Sequence, residues 1–116
     1  MTTISINECD LLEFFGSSHV SREFGDEWFD SDSVYKHEQG DGLAVTCAIH
    51  PIHKDARITL SLKNQVHFDW QATALADIEF DRENNRLNFT SQTGDVLKLT
   101  LMPQILVDLQ CVYRPE

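Results

Sequence analysis

Residues 78–101 read IEFDRENNRLNFTSQTGDVLKLTL, and apolar and polar side chains alternate along them in three runs. Alternation with a period of two is typical of strands that place one face in a core and the other in water. The runs are separated by Asn84-Asn85 and by Gln92-Thr93-Gly94-Asp95, whose residue types favour tight turns. This stretch therefore predicts three consecutive antiparallel strands.

The same alternation recurs on both sides of this stretch, in runs that begin at Leu43, Ile58 and Val107. Pro103 cannot donate a ladder hydrogen bond, so it predicts a break before the last run. The residues from Trp70 to Ala76 fit either a helical turn or an irregular strand.

A helical period is found near the N-terminus instead. Asn7 is a typical N-cap residue, the apolar side chains between Cys9 and Phe15 share one helical stripe, and Gly16 is a typical helix stop. We therefore predict an α+β fold in which a short N-terminal helix packs on a curved antiparallel β-meander of about six or seven strands. At 116 residues the chain is expected to form a single domain, residues 1–116.

The negative charge is concentrated in the first part of the chain. The net charge is −10, and residues 1–42 hold ten acidic and two basic side chains. A field of this sign repels nucleic acid phosphates and anionic membranes, and it attracts basic proteins. We therefore expect a basic protein as the partner, with no direct binding of nucleic acid or membranes.

Within this region, acidic residues alternate with aromatic ones between Glu23 and Asp41. Interface energy concentrates in buried aromatic anchors, while charges steer the encounter. The predicted partner-binding residues are Asp26, Glu27, Trp28, Asp30, Asp32 and Tyr35. In the alternative interpretation, the aromatic side chains anchor the segment to the core and the acids form its solvated face.

Catalytic and metal-binding signatures are sparse. The sequence has no nucleophile elbow, metalloprotease motif, phosphate-binding loop or dinucleotide fingerprint, so neither an enzyme nor a cofactor is predicted. Cys47, His50 and His53 have metal-ligand side chains, but a second ligand pair is missing, and no metal site is predicted.

The cysteine pattern and the N-terminal sequence suggest a location. The three cysteines are widely spaced and odd in number, which does not indicate a disulfide framework, and each is expected to be a small buried hydrophobe. The first residues lack the basic start and apolar stretch of a signal peptide, so a cytoplasmic location is expected.

A small acidic α+β chain with no catalytic motif, and with acids clustered beside aromatics, resembles bacterial immunity proteins of contact-dependent inhibition and related polymorphic toxin systems. The resemblance implies a stoichiometric inhibitor that occludes the active site, or a nearby surface, of a basic toxin domain such as a nuclease. Two other functions are compatible with the sequence: an adaptor or self-associating domain, and a small metal- or ligand-binding module. Whether the chain is a monomer or a homodimer is left open.

Overall fold

The computed structural model describes residues 6–16, 21–23 and 32–111, and within these ranges it contains one α-helix, one short 3-10 helix (Pro51–His53) and nine strands. The helix is α1 (Glu8–Phe15), and the strands are β1 (Ser21–Glu23), β2 (Asp32–Glu38), β3 (Leu43–His50), β4 (Asp55–Leu62), β5 (Gln65–Ala72), β6 (Leu75–Asp81), β7 (Arg86–Ser91), β8 (Val96–Thr100) and β9 (Leu106–Gln110).

The helix has the predicted bounds and the predicted caps. The side chain of Asn7 accepts a hydrogen bond from the backbone N–H of Asp10 at 2.9 Å, and the carboxylate of Asp10 accepts one from the backbone N–H of Asn7 at 3.3 Å. This reciprocal capping box satisfies two of the N–H groups that a helix start leaves without partners. At the other end, Gly16 adopts a φ of 74° and donates its N–H to the carbonyl of Leu12.

The tight turns follow from residues that tolerate a positive φ. Lys63 and Asn64 form the two-residue turn between β4 and β5, with φ values of 51° and 68°. Two consecutive positive φ values define a type I′ turn, whose twist matches that of the flanking strands. The predicted turns at Asn85 and Gly94 also have positive φ values, of 53° and 98°. Pro103 lies between β8 and β9, where a break was predicted.

The strands form two antiparallel sheets, so the prediction of one meander with six or seven strands is wrong. One sheet has the order β1-β2-β3-β4-β5, and the other has the order β6-β7-β8-β9. Each sheet is a meander, and the chain passes from one to the other at the turn between β5 and β6. The short helix and the antiparallel pairing are confirmed, but the fold is mostly β. The residues from Trp70 to Ala76 are the end of β5, this turn and the start of β6.

The two sheets share one hydrophobic core. Side chains from β3 and β4 bury their apolar faces in the same cluster as side chains from β7 and β8. Trp70 on β5 packs edge-on against Phe89 on β7, with ring centroids 6.3 Å apart. This pairing explains why the chain forms two sheets: each sheet covers the apolar face of the other, which a single open meander would leave in water.

Helix α1 is held to both sheets through aromatic contacts. Phe15 stacks on Tyr35 of β2 with a centroid distance of 5.1 Å, and Phe14 meets Phe80 of β6 at 5.7 Å. Outside the core, Arg82 donates hydrogen bonds to the carboxylates of Asp10 and Glu13. The helix is therefore fixed against β2 and the turn between β6 and β7.

The three cysteines lie in different environments. Cys47 is fully buried in β3, as predicted, and burial raises the pKa of its thiol well above the usual range. Cys9 and Cys111 are exposed, so the prediction that each cysteine is buried is wrong for these two. Cys9 lies in the first turn of α1, and Cys111 follows the last residue of β9.

Candidate functional site

The predicted partner-binding residues fall into three groups. Asp26, Glu27, Trp28 and Asp30 lie outside the described residues. Asp32 is the first residue of β2 and is paired with Glu23, the last residue of β1.

Tyr35 is the third group of the predicted partner-binding residues, and its side chain is fully buried and stacks on Phe15. It is a core side chain rather than an exposed contact. The alternation of Ser33, Tyr35 and His37 along β2 explains the difference: these residues lie on the inner face of the strand, where Tyr35 meets helix α1, while Lys36 and Glu38 face water. The sequence prediction treated the segment as an acidic surface loop and missed this strand.

Asp32 belongs to one end of the molecule, which we call the upper end. It comprises the start of β2 and three turns: His50–Asp55 between β3 and β4, 72–75 between β5 and β6, and 91–96 between β7 and β8. Ser33 pairs with Ile49 and His50 pairs with Asp55, which places the start of β2 beside the first turn.

Backbone hydrogen bonds tie the three turns together. Leu75 donates its N–H to the carbonyl of Lys54 at 3.0 Å, and Gln92 donates its N–H to the carbonyl of Ala74 at 2.8 Å. The turns therefore form one connected surface. Loops at one end of a β-sandwich are a frequent location of binding sites, because a rigid scaffold positions them.

Two cavities open at the upper end. The first has a volume of about 270 Å³ and is lined by Ala48, His50, Asp55, Ala56, Arg57 and Gln71. The second has a volume of about 210 Å³ and is formed by residues 70–74 of β5 and its turn, together with Ser91, Thr93 and Asp95. Gln71 lines both cavities, so they adjoin.

The second cavity combines an aromatic ring with polar groups. Trp70, which is half-buried, and Asp95 are among its lining residues. The hydroxyls of Ser91 and Thr93 are 2.8 Å apart, and Ser91 Oγ accepts a hydrogen bond from the backbone N–H of Asp95 at 3.1 Å. No sequence motif marks this site; Trp70 belongs to the stretch, Trp70 to Ala76, whose pattern fits either a helical turn or an irregular strand.

A bidentate ion pair lies on the outer face of the first sheet, beside the first cavity. Arg57 donates to both carboxylate oxygens of Asp69, at 2.9 Å and 2.6 Å. The hydrogen bond with Arg57 is the main reason that the pKa of Asp69 is lowered, and the same contact raises the pKa of Arg57. Both side chains are exposed, so the pair contributes little to stability at neutral pH.

The lowered pKa of Asp69 predicts a contribution to acid unfolding. Because the pKa is lower in the folded state, the stabilisation is complete above the usual carboxyl value of 3.8. It is lost as the pH falls below that value through the folded-state pKa. Urea unfolding between pH 6 and about pH 2 should show a smaller acid-induced loss of stability for Asp69→Asn than for the unmodified protein. Identical pH profiles would contradict this assignment.

Cys47, His50 and His53 do not converge on one point. Cys47 faces the core, whereas the rings of His50 and His53 lie 4.3 Å apart at the upper end. Among residues 6–16, 21–23 and 32–111, no three His, Cys, Asp or Glu side chains form a group that could hold a metal ion. Within the same ranges, no helix has the length and apolar character needed to cross a membrane.

Comparison with known proteins identifies a similar fold. No family model matches the chain, and no curated protein matches it. The structure is similar to a chain of the contact-dependent growth inhibition toxin–immunity protein complex from Klebsiella pneumoniae 342, with a TM-score of 0.74 and 18% sequence identity. The similarity covers 90% of this chain and 93% of that chain. The resemblance to toxin-immunity proteins is therefore confirmed at the level of the fold.

Proposed function

We propose that this protein is an immunity protein, which neutralises a toxin domain by binding to it in a stoichiometric complex. The observation that carries the proposal is the fold that the chain shares, over nine-tenths of its length, with a chain of a toxin–immunity complex. Fold alone does not define function, so the proposal also depends on the charge of the chain and on its upper end.

The charge favours the inhibitor over the toxin as the role of this chain. A nuclease toxin has to hold phosphates, which a protein of net charge −10 repels. An inhibitor of a basic nuclease benefits from the opposite sign, because attraction accelerates encounter and fixes the orientation of the complex. We therefore propose a basic toxin domain, most simply a nuclease, as the partner, and a cytoplasmic site of action.

The upper end supports a binding surface. Glu23 and Asp32, the described residues on either side of residues 24–31 in the sequence, are paired there. The three tied turns and the two cavities lie on the same end. We propose that Asp26, Glu27, Trp28, Asp30 and Asp32 contact the toxin, and that the complex covers its active site or a neighbouring surface. No catalytic step by the immunity protein is required.

The test is capture followed by rescue. The tagged protein is used to isolate its partner from lysate of the native cells, and the partner domain is then expressed in a bacterial host with and without this chain. We expect growth arrest by the partner domain alone and full growth when this chain is co-expressed. The purified pair should form a one-to-one complex in size-exclusion chromatography with light scattering.

Two results would contradict the proposal. One is a captured partner that has no effect on growth. The other is a toxic partner that still arrests growth when this chain is present in excess. Light scattering of the isolated chain also addresses the adaptor hypothesis, because a self-associating domain would elute as an oligomer without any partner.

A further inference from the structure

The cavity that contains Trp70 has the chemistry of a site for a cationic side chain. It has a volume of about 210 Å³, several times the roughly 30 Å³ that one water molecule occupies in the liquid. The half-buried residues Trp70 and Asp95 both line it. An aromatic face and a carboxylate each favour a positive charge, through the ring quadrupole and through charge-assisted hydrogen bonds.

The remaining lining groups supply further acceptors. Ser91 and Thr93 line the cavity, and their hydroxyls can accept hydrogen bonds. An ionised carboxylate has about four acceptor positions, so Asp95 can bind an additional donor whatever contacts it already makes. The backbone around these groups is fixed by the hydrogen bonds within the turn that joins β7 to β8 and by the bond from Gln92 to Ala74.

Arginine suits this arrangement better than lysine. A guanidinium group is planar, stacks on an indole and presents five donors in a rigid fork, whereas an ammonium group is a compact and strongly hydrated charge. Trp is also the aromatic ring that gives the strongest cation–π contact. The lining residue Trp70 is held in place by its edge-on packing against Phe89 of the opposite sheet.

We propose that the Trp70 cavity receives the guanidinium group of an arginine of the protein partner. The inference rests on the proposed function, since the partner is taken to be the basic toxin domain. Such an arginine would insert at the end of the molecule where Glu23 and Asp32, which bound the acidic segment in the sequence, are paired. The contact would fix the register of the complex, while the acids of the segment accelerate its formation.

The experiment uses small probes, so it does not depend on the toxin. N-acetyl-arginine amide, N-acetyl-lysine amide and N-acetyl-citrulline amide are titrated into the ¹⁵N-labelled full chain, and the Trp70 indole and Asp95 backbone signals are followed. We expect a saturable shift for the arginine probe, with a dissociation constant in the millimolar range that is usual for a single side chain. The lysine probe should bind more weakly, and the neutral citrulline probe should cause no saturable shift.

Two conservative variants identify the groups responsible. Asp95→Asn preserves the shape of the side chain, and Trp70→Phe preserves its aromatic packing. Each variant should weaken arginine binding about fivefold. Asp108→Asn, on the outer face of β9, removes the same charge away from the cavity and should leave binding unchanged. Thermal unfolding of each variant verifies that the fold is retained.

Non-saturable shifts, equal binding of citrulline, or undiminished binding in both cavity variants would overturn the inference. Failure of the growth rescue has a different meaning, because that assay tests the toxin partner and does not use the probes. A cavity that binds arginine selectively in a chain that rescues no toxin would support the cation site and contradict the immunity function.

Discussion

Replacement of Tyr35 by alanine is expected to lower the free energy of unfolding by about 3–5 kcal/mol, the range found for large aromatic side chains truncated in a core. Tyr35 is fully buried and stacks on Phe15, so its ring joins β2 to helix α1. The truncation leaves a cavity between these elements and removes the stacked contact. Urea unfolding followed by fluorescence and by far-ultraviolet circular dichroism measures the change.

The matched control is Lys36→Ala, because Lys36 is the next residue of β2 and is exposed on the opposite face. It removes a surface ion pair with Glu38 and should change stability by no more than about 1 kcal/mol. If Tyr35→Ala were as stable as this control, Tyr35 would not be a core residue. The prediction that Tyr35 is a partner-binding residue would then be favoured.

In contrast to Tyr35→Ala, neutralisation of the acidic segment is expected to have little effect on folding and a large effect on partner binding. The variant combines Asp26→Asn, Glu27→Gln, Asp30→Asn and Asp32→Asn. If these acids serve a basic partner, the association rate at low salt should fall by about 100-fold, because steering is what raises such rates above the neutral range. If the four acids serve only a partner, thermal stability should stay nearly unchanged, as it does for most substitutions of solvated charges.

Stopped-flow association with the captured toxin domain, at low and high salt, measures this effect. The control variant neutralises four acids outside the upper end, at Glu38, Glu79, Glu83 and Asp108, which gives the same change in net charge. The two variants differ only in the position of the removed charges. Equal association rates would therefore show that net charge, and not the acidic segment, accelerates binding. A large loss of thermal stability in the first variant would show that these acids support the fold instead.

Local sequence patterns predicted the elements whose signals are complete within a few residues. Both ends of helix α1 could be predicted because Asn7 is a typical N-cap and Gly16 a typical helix stop. Strands β7 and β8 followed from uninterrupted alternation between two recognisable turns. Strand β2 was missed because its inward positions include Ser33 and His37, which do not look apolar in the sequence.

The arrangement of the strands could not be predicted in the same way. A strand with one buried face has the same alternation whether an opposing sheet or a helix covers it, so the pattern cannot distinguish one sheet from two. Strand β5 was obscured further by a register shift opposite Leu60 and Ser61, which interrupts its period. The Trp70 cavity depends on both features, because it forms where β5 leaves one sheet and approaches a turn of the other.

Because the three cysteines differ in exposure, their thiols should differ in reactivity and can report on partner binding. The buried thiol of Cys47, with its raised pKa, should be inert to maleimide in the folded state, whereas Cys9 and Cys111 are accessible. Cys111 follows Gln110, which pairs with Val96 at the upper end, and Cys9 lies on the helix tethered by Arg82. A ligand bound to the upper end should protect Cys111 from alkylation and leave Cys9 reactive. Alkylation footprinting can therefore locate a bound partner without any engineered label.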